Sequence, residues 1–128
     1  MTTKVFDRIV VSLLALATLV TRIPYVTQYL FAWDSGTVAL GTRFYDIGQH
    51  QPHPPGYVLY VLTAKILNVF VHNINTVLVG MSIVAAGGTV ILLYLLAARM
   101  YNRKVALVAA SILLFSKSLW AYSEVAFS

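Results

Sequence analysis

The sequence predicts an all-α, polytopic membrane protein with about three transmembrane helices and short helices at the membrane surface. Apolar residues make up 59% of the 128 positions and charged residues 10%, whereas soluble domains carry about 45–50% and about 25%. The mean hydropathy is +0.80. Several apolar runs approach the roughly 20 residues that cross a bilayer as a helix.

The charge pattern excludes some classes of function. The net charge is +5, but the basic residues are scattered and form no stripe that could follow phosphates, which argues against a nucleic-acid partner. Lys and Arg collect in the cytoplasmic loops of membrane proteins and therefore serve as markers of topology. The chain has no cysteine, so it offers no disulfide, thiolate metal site or cysteine nucleophile.

The first predicted transmembrane helix spans residues 9–30. Its apolar run follows basic residues, as in a secretion signal, but the small-residue triplet 15–17 lies inside the run. Cleavage would require that triplet after the run, so we expect an uncleaved helix. Arg22 and Pro24 lie near its outer end, and the Arg22 side chain is expected to extend toward the membrane–water interface.

Residues 75–98 and 105–121 form the second and third predicted spans. The second contains several small residues between positions 80 and 88, which suit close packing of helices in lipid. A short basic loop, 99–104, separates the two spans. Residues 122–128 are predicted to begin a second outer loop.

The apolar segment 54–71 allows two interpretations. With a cytoplasmic N-terminus, a crossing here would make four spans and place the basic loop 99–104 outside, against the preference of Lys and Arg for the cytoplasm. If the segment lies in the interface, that loop is cytoplasmic and Glu124 emerges on the same outer side as Asp34. Lys65 in mid-segment fits a helix at the surface. Three crossings are therefore preferred, with four as the alternative.

The outer loop, residues 31–73, contains the most informative polar residues. Its first part, 35–47, is predicted to form a short amphipathic helix with Ser35 as the N-cap. Gly and Pro then mark a stiff turn that holds His53 before the second interfacial helix. Ionisable groups beside a bilayer are costly and therefore indicate function. Asp34 and His53 are the candidates.

Two motifs in this loop carry a resemblance to a known superfamily. Asp34-Ser35-Gly36 followed by His53-Pro54-Pro55-Gly56-Tyr57 resembles the first extracytoplasmic loop of GT-C glycosyltransferases, polytopic enzymes that use polyprenyl-phosphate sugars. The pattern is most similar to the protein O-mannosyltransferase-like branch. The segment 119–125 resembles the second outer loop of these enzymes. Thr37 stands where that branch usually has Glu, and Val58 where it has Pro.

The resemblance implies an inverting hexosyltransferase that moves a mannose-like sugar from a polyprenyl-phosphate donor to a hydroxyl of a protein or glycan acceptor. Asp34 would be the catalytic base, positioned within hydrogen-bond reach of the acceptor. The departing phosphate needs cations or hydrogen-bond donors. The residues implied in substrate binding are His53, Glu124, Arg43, Lys117 and Tyr57. No cofactor is certain; the single carboxylate at the first motif leaves a divalent metal only as an option.

The resemblance also implies many more spans than this chain has, so we expect an N-terminal fragment that is inactive alone. Its expected location is the plasma membrane of a prokaryote or the endoplasmic reticulum, multi-pass, with the active face extracytoplasmic. The alternative is a non-catalytic multi-span protein, such as a transporter fragment or an accessory subunit. Transporter sites lie near the bilayer midplane, whereas no charged residue occurs between Ile66 and Ala98. The enzyme is therefore preferred.

Overall fold

A computed structural model describes residues 3–30 and 32–126. These residues form α-helices, two short 3₁₀ helices (Ile23–Tyr25 and Ile47–Gln49) and no named strand. The predicted all-α class is confirmed for this part of the chain. The α-helices are α1 (Thr3–Arg22), α2 (Trp33–Gly41), α3 (Val58–Val71), α4 (Ile74–Met100), α5 (Arg103–Leu114) and α6 (Lys117–Ser123).

Helix α1 differs from the predicted span 9–30 at both ends. It begins at Thr3 and ends at Arg22, where a 3₁₀ turn, Ile23–Tyr25, takes over. Pro24 explains the end, because proline disfavours the α conformation in the residue before it. The apolar residues beyond Pro24 extended the prediction, since hydropathy does not report where the backbone breaks.

Helices lie in both segments that were predicted to form interfacial helices, with different bounds. The first, predicted over 35–47, is α2, and its N-cap is Ala32, whose backbone is extended (φ −104°, ψ 152°). Ser35 is therefore not the cap; it lies inside the first turn with its side chain buried. The second is α3, which has 14 residues and at about 1.5 Å per residue is about 21 Å long.

Helix α4 contains the whole of the predicted span 75–98. It has 27 residues, and the Asn73 side chain accepts a hydrogen bond from the Thr76 N–H at its start (3.1 Å). By length and hydropathy, α4 is the one helix among residues 3–30 and 32–126 that could cross a membrane by itself. The bent pair α5 and α6 would be a second if it counted as one span.

The predicted third span, 105–121, is broken into α5 and α6. The two helices are bent by 55° around residues 115–116. At the break, the Ser116 hydroxyl accepts a hydrogen bond from the Leu119 N–H (3.3 Å), as serine does at the start of a helix. A hydropathy window averages over such a serine, so the prediction joined the two helices.

The described chain divides into two units. The first comprises residues 3–25 and 83–123, and the second comprises residues 26–82 and 124–126. The first unit has an apolar core that includes Val10, Leu14, Val90, Tyr94, Ala97, Ala106, Ala110 and Leu114. The second unit holds α2, α3 and the turn between them, and with them the predicted motifs.

Candidate functional site

Asp34 lies in the first turn of α2 with an accessible carboxylate. Helix α2 begins at Trp33 and has no side-chain capping bond from Ala32. The Asp34 side chain is 40% exposed. The hydroxyl of Thr37 donates to the Asp34 backbone carbonyl (2.9 Å) and not to its carboxylate. Because a helix N-terminus favours negative charge, Asp34 is an available anionic group and not a helix cap.

Hydrogen bonds hold the turn between α2 and α3. The Tyr45 hydroxyl donates to the Gly56 carbonyl (2.8 Å). Asp46 and Gln51 exchange backbone hydrogen bonds of 2.7 and 2.9 Å, and the Asp46 carboxylate accepts from the Gly48 N–H (2.9 Å). Asp46 therefore organises the turn.

Two glycines allow the turn to lie against its neighbours. A Cβ at Gly41, the last residue of α2, would lie 2.8 Å from Cδ of Pro52, a proline that is fully buried. At Gly56, φ is +95° and a Cβ would lie 2.5 Å from the Tyr45 hydroxyl oxygen. Only glycine adopts such a φ without cost. The turn is thus pressed directly onto the C-terminal end of α2.

This packing brings His53 to the first turns of α2. Its Nδ1 lies 3.1 Å from the Thr37 hydroxyl oxygen and 3.8 Å from Oδ1 of Asp34. The second distance exceeds that of a hydrogen bond, so the direct partner of His53 is Thr37. The His53 side chain is 22% exposed. A partly open carboxylate and an imidazole therefore share one site.

Tyr57 forms the aromatic side of this site. Its ring meets the ring of His53 edge to face, with centroids 5.3 Å apart and planes at 65°. Tyr57 precedes α3 in the left-handed backbone region (φ 41°), which is uncommon for a residue other than glycine. The contact restricts rotation of the His53 ring.

The other predicted substrate-binding residues are placed differently. Arg43 is exposed and lies beyond the C-terminal end of α2, and the helix between Asp34 and Gly41 alone rises by about 10 Å. The Glu124 backbone carbonyl accepts from the N–H and hydroxyl of Thr27 (3.0 and 3.1 Å). Lys117 is exposed at the start of α6, in the first unit. Asp34, His53 and Tyr57 are the predicted residues that the structure groups together.

The ligand set at Asp34 is incomplete for a metal ion. Across residues 3–30 and 32–126, no three or more His, Cys, Asp or Glu side chains lie close enough together to hold one. Asp34 and His53 are two candidates, but Nδ1 of His53 is engaged by Thr37. We therefore derive no step through a metal.

Thr37 is a residue of this site that sequence reasoning treated only as a departure from a family pattern. It is 6% exposed and connects the backbone of Asp34 with the ring of His53. Its position three residues after Asp34 places both on neighbouring positions of one helix face. The three-residue spacing between Asp34 and Thr37 was the feature of the sequence that could have identified Thr37 as part of the site.

Arg22 does not extend toward an interface, contrary to the prediction. It is fully buried, its guanidinium carbon lies 4.3 Å from the centroid of a Trp120 ring, and it donates to the Leu114 carbonyl (2.5 Å). The last carbonyls of a helix lack partners within the helix and carry partial negative charge. The Arg22 guanidinium therefore supplies a hydrogen-bond donor to a carbonyl at the end of α5, and the side chain stays inside the first unit.

A second ionic group, at the start of α1, was also missed. The Arg103 guanidinium donates to both Asp7 carboxylate oxygens (2.8 and 3.0 Å), and the Tyr94 hydroxyl donates to one of them (2.9 Å). The pKa of Asp7 is held below its ordinary value mainly by the hydrogen bonds from Arg103 and to a smaller extent by the hydrogen bond from Tyr94. This group joins α1, α4 and α5.

Comparison with known proteins identifies the family. The sequence pattern described as "Oligosaccharyl transferase STT3, N-terminal" matches residues 13–123, which is most of the chain and includes every residue of the site. No significant match is found among curated proteins or among solved structures. The GT-C part of the predicted resemblance is confirmed. The chain belongs to the STT3 family, whose members are integral membrane oligosaccharyltransferases of the GT-C type.

Proposed function

We propose that this chain forms the N-terminal part of a membrane glycosyltransferase that moves a mannose-like sugar from a polyprenyl-phosphate donor to a hydroxyl of a protein or glycan. Asp34 accepts the proton of that hydroxyl. The freed oxygen bonds to the anomeric carbon from the face opposite the phosphate, the bond from that carbon to the phosphate oxygen breaks, and the phosphate leaves as an anion. The configuration at the anomeric carbon is inverted.

One observation carries this proposal: the partly exposed Asp34 carboxylate, at a helix N-terminus, beside His53. A general base must be reachable by its substrate and unengaged by stronger partners, and the Asp34 carboxylate lies 3.8 Å from Nδ1 of His53, beyond hydrogen-bond distance. Tyr57 supplies an aromatic surface beside it. Glu124 and Arg43 are proposed to contact the substrates, with Arg43 on the phosphate, and substrate binding by Lys117 stays a prediction from the resemblance.

The family match favours a second candidate of the same class. STT3 proteins use lipid-linked oligosaccharide donors and protein acceptors, so the transferred group would be an oligosaccharide and not a single sugar. The two candidates share a lipid-phosphate donor and a catalytic carboxylate. They differ in the size of the transferred group.

The proposed location is a multi-pass position in the plasma membrane of a prokaryote or in the endoplasmic reticulum, with Asp34 extracytoplasmic. Helix α3 supports an interfacial place for residues 58–71, because its length of about 21 Å falls short of the roughly 30 Å hydrocarbon core. Lys65 is exposed on this helix, as expected for a helix at the surface.

The test of the base is Asp34→Asn in the longest natural protein that contains this chain. The substitution keeps the size of the side chain and removes the proton acceptor, so transfer should fall by roughly 10²–10⁴-fold. Asp46→Asn is the matched control, because Asp46 serves the turn through its Oδ1 and the asparagine oxygen retains that acceptor. Near-native transfer by the Asp34→Asn protein would remove Asp34 from the mechanism.

The same assay separates the two candidates. Donors would be a polyprenyl-monophosphate monosaccharide and a polyprenyl-pyrophosphate oligosaccharide, each offered with a hydroxyl-bearing and an asparagine-bearing peptide. Transfer of the single sugar to the hydroxyl is the expected result. Transfer of the oligosaccharide to asparagine would replace our first candidate by the second, and transfer from neither donor would refute both.

A further inference from the structure

The hydrogen bonds around Thr37 determine which nitrogen of His53 carries the proton. Thr37 has one hydroxyl hydrogen and two contacts, the Asp34 carbonyl at 2.9 Å and Nδ1 of His53 at 3.1 Å. A carbonyl can only accept, whereas Nδ1 of an imidazole either donates or accepts. Both contacts are hydrogen bonds only when Thr37 donates to the carbonyl and His53 donates its Nδ1–H to Thr37. For the neutral imidazole, the tautomer is thereby assigned from the network.

A neutral His53 with its proton on Nδ1 has a lone pair on Nε2. That nitrogen therefore accepts hydrogen bonds, and it repels the oxygens of a phosphate, which also carry lone pairs. The Tyr57 ring restrains the imidazole from one side, so the ring does not turn freely to exchange its two nitrogens. A neutral His53 of this tautomer would therefore bind a part of the substrate that donates hydrogen bonds, and not the phosphate.

We propose that His53 binds the acceptor substrate, through Nε2, and that Thr37 is the positioning residue that maintains this tautomer. The reacting hydroxyl gives its hydrogen to Asp34, so Nε2 takes a second hydrogen-bond donor, which we place on the same acceptor molecule. A neighbouring sugar hydroxyl or a peptide N–H has this chemistry. The inference concerning substrate rests on the proposed function, whereas the tautomer rests on geometry alone.

The tautomer is measured by ¹⁵N NMR of this chain in detergent micelles with labelled histidine. The chain has three histidines, and the double substitution His50→Gln and His72→Gln leaves His53 as the one imidazole. At a pH of about 9, where imidazoles are generally neutral, we expect a protonated Nδ1 and an unprotonated Nε2. A spectrum with the proton on Nε2 would overturn the proposal.

Three further variants test the role of Thr37. Thr37→Val has nearly the shape of threonine but no hydroxyl, and it should increase the fraction of His53 protonated on Nε2; Thr37→Ser should retain the parent spectrum. Asp34→Asn should also retain the parent spectrum, because Asp34 takes part in these hydrogen bonds through its backbone carbonyl and not through its side chain. An unchanged spectrum in Thr37→Val, or a spectrum altered by Asp34→Asn alone, would assign the tautomer to another group and refute this role.

Kinetics of the natural protein that contains the chain test the substrate. Thr37→Val should raise the KM for the acceptor about tenfold, the value of one hydrogen bond, with little change in the KM for the lipid donor. Thr37→Ser should restore both. A rise confined to the donor KM would place His53 at the lipid donor and refute the inference. If the parent protein transfers no sugar, the proposed function fails, while the NMR result still decides the tautomer.

Discussion

At the residue scale, the buried Arg22 shows how a charge is accommodated inside a mostly apolar helix. Its guanidinium has a carbonyl at the end of α5 on one side and the Trp120 ring on the other. Planar, delocalised guanidinium groups stack on aromatic rings better than the compact ammonium of lysine does. We therefore expect its shape, and not only its charge, to contribute to stability.

Arg22→Lys tests this expectation. It retains the charge but loses the planar stack, and the Leu114 carbonyl loses a donor, so the free energy of unfolding should fall by about 1–3 kcal/mol. Unfolding in mild detergent would be followed by Trp120 fluorescence in a Trp33→Phe background. Arg99→Lys, at an exposed position, is the control and should change stability by no more than about 0.5 kcal/mol. Equal stability of Arg22→Lys and the parent would contradict this reading.

At the scale of elements, α2 and the turn that follows it form the platform of the site. Helix α2 supplies Asp34 and Thr37, and the turn supplies His53. Gly41 of α2 faces Pro52 of the turn without a Cβ between them. The position of His53 against α2 therefore depends on a backbone contact several residues away from the site.

Gly41→Ala should separate the turn from α2. The added Cβ would lie 2.8 Å from a buried proline ring, and overpacking of this kind costs about 1–3 kcal/mol. Gly36→Ala in the same helix is the matched control, since a Cβ there meets nothing within 4 Å and alanine stabilises a helix by about 0.5–1 kcal/mol over glycine. The melting temperature should thus fall in Gly41→Ala and rise in Gly36→Ala, relative to the parent protein. A Gly41→Ala protein as stable as Gly36→Ala would argue against the close packing of the turn on α2.

At the scale of the whole molecule, the Asp7 group should make stability depend on pH in the acidic range. The pKa of Asp7 is held below its ordinary 3.8 by the hydrogen bonds from Arg103 and Tyr94. A lowered pKa in the folded state means that the stabilisation is present above the pKa of the unfolded chain, about 3.9, and is lost as the pH falls through the folded value. Melting temperatures should therefore decline below a pH of about 4.

Asp7→Asn isolates this contribution. The variant should be less stable than the parent at neutral pH, and the difference should shrink as the pH falls below about 4, because protonation removes the same charge from the parent. Melting curves in detergent between pH 6 and 3 measure it. Asp46→Asn is the control and should leave the acid slope unchanged. A difference between Asp7→Asn and the parent that stays constant with pH would be inconsistent with the ion pair.

Membrane topology is the second prediction at this scale. Asp34, His53 and Glu124 are expected on the outer face, and Arg103 and Lys104 in the cytoplasm, because basic loops stay inside. Since the chain has no cysteine, single cysteines at positions 50 and 102 can be labelled separately in intact cells. We expect labelling from outside only at position 50. Labelling of both positions from one side would contradict the predicted topology.

The sequence by itself determined the class of the protein and singled out the residues proposed for its site. The composition was enough to predict an all-α membrane protein, because a high apolar content indicates that a chain is suited to lipid and not to water. Long apolar runs located α4, and two short motifs singled out Asp34, His53 and Tyr57 before any geometry was known. Such signals are local: each depends on residue types within one segment.

Only the tertiary structure decided how these residues meet. The hydrogen bond between Thr37 and His53 joins positions 16 apart, and that between Asp7 and Arg103 joins positions 96 apart, distances along the chain at which hydropathy and propensity say nothing. The burial of Arg22 likewise depends on where the end of α5 packs. Ionisable side chains take their positions from the partners that packing brings to them, and those partners are not encoded in the neighbouring sequence.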